Sequence, residues 1–253
     1  MKSKKIEFEG SAGYNLSARI DEPDSGDCKT TLLFAHCFTC NKNLRAIGHI
    51  SRALTDKGIG VFRFDFTGLG ESEGDFSEST FSHDVQDLIA AAGYMHKNWI
   101  APKILMGHSL GGAAILQAAN SIPSSEAVTT VGSPCNPQHV QHLLDDKKDE
   151  IEQKGEAEVV LAGRRFKIKK KFLDDLAEQT MDEVIRNLNK ALLIFHSPVD
   201  KTVGIDNAAH IYKLAKHPKS FISLDDADHL LTKDDDAQYV GNVTTAWAER
   251  YFV

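Results

Sequence analysis

The 253-residue sequence has no long apolar run and few cysteines. A membrane-spanning helix needs about 20 consecutive apolar residues, and no segment approaches that length. Residues 6–9 alternate apolar and acidic side chains at the place where a secretory signal would carry its apolar stretch. The cysteines are too few for a disulfide framework in a chain of this length; they are Cys28, Cys37, Cys40 and Cys135. We therefore expect a cytoplasmic protein with reduced thiols and no membrane partner.

Basic residues are also in deficit, and the net charge of the chain is -7. An acidic chain binds nucleic acid and anionic membranes poorly, so we expect neither as a partner. The longest basic stretch, residues 164–171, alternates in part with apolar side chains and predicts a solvated strand or hairpin face. With 42% apolar residues the chain can bury one large core, and we predict a single domain over residues 1–253.

Short β-rich runs alternate with helical stretches along most of the chain. This alternation predicts an α/β fold with a mostly parallel, doubly wound sheet of about eight strands. The predicted strands are residues 5–8, 16–20, 31–35, 60–64, 103–106, 127–131, 191–195 and 220–224. The predicted helices are residues 43–57, 82–99, 113–119, 206–216 and 237–251. Residues 134–190 interrupt the alternation with charged helix and a hairpin near 159–168, and we predict a small cap over the carboxyl end of the sheet.

Residues 107–111 (GHSLG) form a G-x-S-x-G motif between a predicted strand and a predicted helix. Glycines allow a sharp turn there, and the turn presents the middle side chain at the carboxyl end of the sheet. Ser109 is therefore the candidate nucleophile. A glycine-rich turn in which Ser109 only caps the helix is the alternative, and the residues available as partners decide between the two.

Two such partners follow in the expected order. A serine hydroxyl needs a histidine to accept its proton and a carboxylate to orient that histidine. Asp200 follows the predicted strand 191–195, and His229 follows the next predicted strand, which predicts a Ser-Asp-His triad. Other acids near the histidine, Asp225, Asp226 and Asp228, are too close to it in the chain to face its ring easily.

Acyl transfer also needs two hydrogen-bond donors aimed at the oxyanion. The amide of Leu110, directly after the nucleophile, is one candidate, and the amide of Phe38, in the loop after the third strand, is the other. We also expect Phe38, Thr39 and His108 to contact the substrate. A Phe38 ring that only packs in the loop is the alternative.

These residues together resemble the α/β-hydrolase superfamily over nearly the whole chain. The resemblance is carried by residues 36–38 (HCF), 65–72 (DFTGLGES) and 107–112 (GHSLGG), with Asp200 and His229. It implies the α/β-hydrolase fold and a serine hydrolase of the esterase type, with Ser109, Asp200 and His229 as the triad.

A narrower resemblance comes from residues 36–40 (HCFTC), 74–76 (GDF) and 217–221 (HPKSF). These segments are similar to bacterial hydrolases that are often fused to an OsmC-type redox domain, which implies a possible OsmC-type domain in cis or in trans. Many superfamily members have His-Gly where this chain has His36-Cys37. We expect the Cys37 side chain to narrow the site and favour small acyl groups.

We therefore predict a carboxylesterase that acts on small-molecule esters with small acyl groups through an acyl-enzyme, without a cofactor or a metal ion. A thioesterase or a peptidase with the same triad is an alternative, because a fold does not determine its chemistry. Cys37 and Cys40 also form a C-x-x-C motif, which leaves a redox-linked module open. We interpret the pair as two packing thiols, and a zinc site would need a second pair that the sequence does not have.

Overall fold

A computed structural model describes residues 1–161 and 163–251. Ala162, inside the predicted hairpin, and the last two residues of the predicted domain lie outside the described part. Over the described residues, no helix combines the length and the apolar character needed to cross a membrane. The cytoplasmic location stays a prediction.

Within the described residues, eight strands form one mixed sheet, and two more form a separate hairpin. The strands are β1 (Lys2–Glu9), β2 (Asn15–Glu22), β3 (Thr30–Ala35), β4 (Ile59–Phe64), β5 (Ile104–His108), β6 (Ala127–Val131), β7 (Glu156–Leu161), β8 (Arg164–Lys169), β9 (Ala191–His196) and β10 (Lys219–Ser223). The order in the main sheet is β1-β2-β4-β3-β5-β6-β9-β10. β1 and β2 pair antiparallel, as do β2 and β4, and all later neighbours are parallel. The predicted mostly parallel sheet of about eight strands is confirmed.

Helices cover both faces of this sheet. They are α1 (Arg45–Thr55), α2 (Phe81–Asn98), α3 (Leu110–Ala118), α4 (Lys148–Lys154), α5 (Lys170–Ala177), α6 (Met181–Arg186), α7 (Asp206–Leu214) and α8 (Asp234–Ala248). Alternate residues of each central strand enter opposite cores. Leu33 belongs to the core that includes side chains of α2, α3 and α7, whereas Leu32 belongs to the core that includes side chains of α1 and α8. Burial on both faces explains the continuous apolar runs from which these strands are predicted.

Helix α8 begins three residues earlier than the sequence predicts. Its first turn consists of Asp234, Asp235 and Asp236, and the periodic apolar pattern starts only at Ala237. Negative charge at a helix N-terminus is stabilised by the helix dipole, so aspartates that resemble a loop in the sequence can form a first turn.

The segment between β6 and β9 forms an insertion of short elements. A 3-10 helix (Pro137–Lys147) and α4 lead into the β7–β8 hairpin, and α5 and α6 return the chain to the sheet. Buried side chains of the insertion pack into the same core as α2 and α3; they include Ile151, Ile168, Phe172 and Leu176. The hairpin pairs Glu156 with Lys169 at one end and Leu161 with Arg164 at the other. The division of the chain into one domain with a cap at 134–190 stays a prediction.

Candidate active site

Ser109 occupies a sharp turn between β5 and α3. Its backbone has φ 55° and ψ -126°, a conformation that costs energy for a residue with a side chain. A Cβ atom on Gly111 would lie 2.3 Å from the carbonyl oxygen of His36, and one on Gly107 would lie 2.3 Å from the carbonyl oxygen of Gly111. The strand and the helix can therefore approach this closely only with glycine at both positions.

The structure brings Ser109, His229 and Asp200 into one hydrogen-bonded chain. Nε2 of His229 lies 3.0 Å from Oγ of Ser109. Nδ1 of the same ring lies 2.7 Å from Oδ2 of Asp200. Because a carboxylate only accepts, Nδ1 carries the proton and Nε2 is free to accept the serine hydroxyl proton.

Asp200 is held in its ionised form at the end of this chain. Its Oδ1 accepts the amides of Thr202 at 2.8 Å and Val203 at 2.9 Å. Burial acts to raise the pKa of Asp200, but the hydrogen bonds from His229 and from these two amides outweigh it and leave the pKa below its ordinary value.

The acidic residues near His229 form their contacts with groups other than the histidine ring. Asp226 forms an ion pair with Lys233 at 2.8 Å, and Oδ1 of Asp228 accepts the amide of Leu230 at 2.9 Å. The backbone carbonyl of Asp225 accepts the hydroxyl of Ser197 at 3.3 Å. None of these three carboxylates forms a hydrogen bond with the described atoms of the His229 ring.

His108 supports the histidine loop from the residue before the nucleophile. Its Nε2 lies 2.6 Å from the backbone carbonyl oxygen of His229, so this nitrogen carries the proton and donates it. The sequence predicts a substrate contact for His108, but its side chain is not among the described residues that line the cavity beside Ser109. The His108 side chain is buried, and its ring is hydrogen-bonded to the protein backbone and not exposed to the cavity.

Cys37 and Cys40 are joined by a disulfide bond, so our interpretation of the pair as packing thiols is wrong. The amide of Cys40 donates to the carbonyl of Cys37 at 3.0 Å, which closes a four-residue turn. Thr39, the third residue of that turn, has φ 60° and brings the two Cα atoms to 5.2 Å. This separation lies within the range of disulfide bonds. Cys28 and Cys135 are free thiols.

Phe38 lies inside the disulfide-closed turn. Among the described residues, no protein acceptor binds the amide of Phe38 or the amide of Leu110. Two amides that bind an oxyanion must be free in this way. The Phe38 ring stacks on Phe172 at 5.4 Å and approaches Phe76 at 5.8 Å, and it also lines the cavity. The ring therefore both packs and forms part of the site wall.

Buried polar residues fix the two ends of this loop. At its start, Nδ1 of His36 lies 2.9 Å from the carbonyl oxygen of Cys37, and burial lowers the pKa of His36. At its end, the fully buried ammonium of Lys42 lies 2.5 Å from Oδ2 of Asp65 and 2.7 Å from Glu71. Asp65 also accepts hydrogen bonds from the backbone amides of Lys42 and Glu71. Its carboxylate therefore caps backbone amides at this end of the loop.

A cavity of about 410 Å³ opens beside Ser109 and His229. Its wall combines the loop after β3 with the insertion and the histidine loop; the lining residues are Cys37, Phe38, Thr39, Cys40, Asn41, Leu44, Ser109, Pro134, His139, Val140, His142, Leu143, Leu161, Arg164, Thr202, Val203, His229 and Leu230. Of the predicted substrate contacts, Phe38 and Thr39 are in this wall. Among the residues the structure describes, no group of three or more His, Cys, Asp or Glu side chains is placed to hold a metal ion.

The sequence predicts the insertion as a cap, but sequence reasoning missed that Arg164 contributes to this wall. Arg164 lies in the basic run for which a solvated face is predicted, yet its guanidinium donates to the carbonyl oxygen of Thr39. The signal was present in the alternation of Arg164, Phe166 and Ile168, which puts the three on one side of a strand.

Comparison with known proteins relates the chain to hydrolases. The family model described as Hydrolase_4: Serine aminopeptidase, S33 matches residues 27–141. The chain is 47% identical to the esterase domain of a Rhodothermus marinus protein, whose crystal structure matches with a TM-score of 0.82 and full coverage of both chains. A structure of Est1E from Butyrivibrio proteoclasticus with ferulic acid bound has a TM-score of 0.82 at 18% identity, covering 97% of this chain and 98% of that one. The curated protein YfhR of Escherichia coli K12, itself uncharacterized, is 22% identical over 232 residues, which are 90% of this chain and 74% of that one.

Proposed function

Since this chain belongs to the α/β-hydrolase superfamily and is a hydrolase of the esterase type, we propose that it is a serine carboxylesterase. Its proposed substrates are esters with small acyl groups. The observation that carries the proposal is the hydrogen-bonded chain from Ser109 through His229 to Asp200, with its serine at the wall of a cavity. Such a chain is what activates a serine hydroxyl for attack on an acyl carbon.

Acylation begins with the proton of the serine hydroxyl. Nε2 of His229 accepts it while Oγ of Ser109 bonds to the ester carbonyl carbon, and Asp200 stabilises the imidazolium that forms. The carbonyl oxygen becomes an oxyanion, and the free amides of Phe38 and Leu110 are the donors that would bind it. Collapse of the tetrahedral intermediate breaks the bond to the alkoxide, which leaves as the alcohol with the proton from His229.

Deacylation repeats these steps with water as the nucleophile. His229 removes a proton from water, the hydroxide oxygen bonds to the acyl carbon, and the same two amides bind the second oxyanion. Collapse releases the carboxylic acid and returns the proton to Oγ of Ser109. No step of this mechanism uses a cofactor or a metal ion.

The cavity supports a small substrate. Its volume of about 410 Å³ lies toward the lower end of the usual range for ligand sites, roughly 300–1,000 Å³. Cys37 and Phe38 line it together with Ser109, and apolar side chains such as Val140 and Leu143 are also in its wall. A short or medium acyl chain fits this volume and this chemistry.

A peptidase is the second candidate, because the matching family model is described as a serine aminopeptidase. An aminopeptidase needs an acidic group to bind the α-ammonium of its substrate. The described residues that line the cavity include no Asp and no Glu. This absence of a carboxylate favours an ester over a peptide with a free N-terminus, whereas a thioester would meet the same contacts as an ester. An OsmC-type domain as a partner stays a prediction.

Replacement of Ser109 by Ala tests the proposal with 4-nitrophenyl butanoate as substrate. We expect kcat to fall by at least about 10⁴-fold while the circular dichroism spectrum stays unchanged. Ser121→Ala is the matched control, because Ser121 is exposed in the short 3-10 helix that follows α3, and its rate should equal that of the wild type. A Ser109→Ala protein that hydrolyses the ester at nearly the wild-type rate contradicts the proposal.

A further inference from the structure

The two faces of strand β8 differ in how their basic residues are neutralised. Arg165 pairs with Glu158 at 2.7 Å, and Lys167 pairs with Glu156 at 2.9 Å, both across the hairpin on its exposed face. Every other basic residue of segment 165–171 also has a carboxylate within ion-pair distance; these are Lys169, Lys170 and Lys171. The opposite face of β8 carries Arg164, Phe166 and the buried Ile168.

Arg164 is the exception in the basic stretch of residues 164–171. Among the residues the structure describes, no carboxylate lies within 4.0 Å of its guanidinium. One of its nitrogens donates to the carbonyl oxygen of Thr39, and its Cζ lies 5.2 Å from the centre of the Phe166 ring. A guanidinium has five N–H donors and stays charged at any physiological pH, so several donors are left for a ligand.

Arg164 is also one of the residues that form the wall of the catalytic cavity. Arg164 lines it together with Ser109 and His229, and the described lining contains no Asp or Glu to neutralise the charge. The chain as a whole has a net charge of -7. The described cavity lining has Arg164 and no carboxylate, so its charge is opposite in sign to that of the chain. Arg164 is solvent-exposed, and a positive charge beside a partly apolar cleft attracts anions to that cleft.

We propose that Arg164 is a substrate-binding residue and that the preferred esters carry a negatively charged group, such as a free carboxylate, on the part that reaches the hairpin. This inference rests on the proposed esterase function and specifies its substrate class. Arg164 forms a charge-assisted hydrogen bond with the anion of the ester while Thr39 holds the other side of the guanidinium.

A purely structural role for Arg164 predicts a different pattern. If the guanidinium only held the Thr39 carbonyl, its loss would disturb the neighbouring Phe38 amide and would slow charged and neutral esters equally. If it also binds substrate, its loss lowers only the preference for the charged ester. The ratio of kcat/KM for matched charged and neutral esters separates the two roles.

The experiment compares 4-nitrophenyl hexanoate with mono-4-nitrophenyl hexanedioate, and phenyl butanoate with 4-carboxyphenyl butanoate. The first pair places the carboxylate on the acyl side, and the second places it on the alcohol side. The variants are Arg164→Met, Arg164→Lys and the matched control Arg165→Met. For one of the two pairs, Arg164→Met should lower the charged-to-neutral ratio by roughly fivefold to tenfold, mainly through KM of the charged ester.

The controls fix the interpretation. Arg165→Met should keep the wild-type ratio, Arg164→Lys should fall between wild type and Arg164→Met, and 0.5 M NaCl should lower the wild-type ratio toward that of Arg164→Met. Ratios for both pairs that are unchanged in Arg164→Met overturn the inference and leave the esterase proposal intact. A wild-type protein that hydrolyses none of the four esters overturns both.

Discussion

Nε2 of His108 lies 2.6 Å from the backbone carbonyl oxygen of His229, so the residue before the nucleophile holds the loop that carries the general base. The two rings also pack with their centres 5.0 Å apart. Burial, together with the nearby charge of His229, lowers the pKa of His108 to about 3. His108 is therefore neutral and keeps its donor hydrogen throughout the pH range in which the enzyme would act.

The first prediction concerns stability against pH. The folded-state pKa of His108, about 3, is depressed from an ordinary value of 6.5. Between about pH 3 and 6.5, His108 is protonated in the unfolded chain and neutral in the folded chain. Its contribution to the free energy of unfolding is therefore complete above pH 6.5 and is lost as the pH falls toward 3. In urea denaturation between pH 4.5 and 7, His108→Gln should show a shallower fall in the free energy of unfolding than wild type. Since one pKa unit corresponds to about 1.4 kcal/mol and the experiment covers about two units below pH 6.5, the difference should reach about 2.5 kcal/mol, and parallel curves would refute this role.

The second prediction concerns the carboxylate of the triad. Asp200→Asn removes the acceptor that fixes the proton on Nδ1 of His229, so the ring can present the wrong nitrogen to Ser109. We expect kcat for 4-nitrophenyl butanoate to fall by about 10³-fold to 10⁴-fold with little change in the melting temperature. Asp226→Asn is the control, since Asp226 is exposed and paired with Lys233, and its kcat should stay within about twofold of wild type. Equal rates for the two variants would remove Asp200 from the triad.

The third prediction concerns the disulfide between Cys37 and Cys40. A dithiol reductant breaks the S–S bond, gives two thiols and is itself oxidised to a disulfide. Reduction releases the turn that holds the Phe38 amide and frees Thr39 to leave its positive φ, so kcat should fall by about tenfold, which is less than the loss of a whole oxyanion donor.

Thiol titration and one pair of variants check that outcome. The denatured, unreduced protein should show the two thiols of Cys28 and Cys135, and the reduced protein should show four. The double variant Cys37→Ser/Cys40→Ser should match the reduced wild type and ignore reductant, whereas Cys135→Ser should respond as wild type does. Four thiols before reduction, or full activity after it, would show that the bond does not hold the loop.

The fourth prediction concerns the buried ion pair at the end of the same loop. Lys42→Met leaves the carboxylate of Asp65 buried without its cation, since both side chains are fully buried. The free energy of unfolding should fall by about 3–5 kcal/mol in urea titration. Lys103→Met is the control, because Lys103 forms an exposed pair with Glu126, and its cost should be at most about 1 kcal/mol. Similar losses for the two variants would contradict the role of Lys42 as the buried partner of Asp65.

Much of the fold follows from local sequence. The central strands are predicted because both of their faces are buried. Asp200 and His229 follow the neighbouring parallel strands β9 and β10, which is enough to bring them to the same carboxyl end of the sheet. The turn at Ser109 is predicted because only glycines permit such a close approach of strand and helix.

What the sequence does not reveal depends on contacts between distant segments. The turn closed by the bond between Cys37 and Cys40 has Thr39 at a positive φ, which no local propensity predicts for a β-branched residue. Arg164 reaches Thr39 across 125 positions of the chain, so its place in the cavity depends on how the insertion packs. The contact of His108 with the His229 backbone likewise spans 121 positions.

Covalent labelling of Ser109 is the most direct test of the central claim. A fluorophosphonate reacts with a serine whose hydroxyl is activated by a neighbouring base, and mass spectrometry of the digested protein locates the adduct. We predict one adduct per chain on the peptide that contains Ser109, with labelling lost in His229→Ala and kept in Asp226→Asn. Absence of the adduct from the wild-type protein, or an adduct on another residue, would contradict the account.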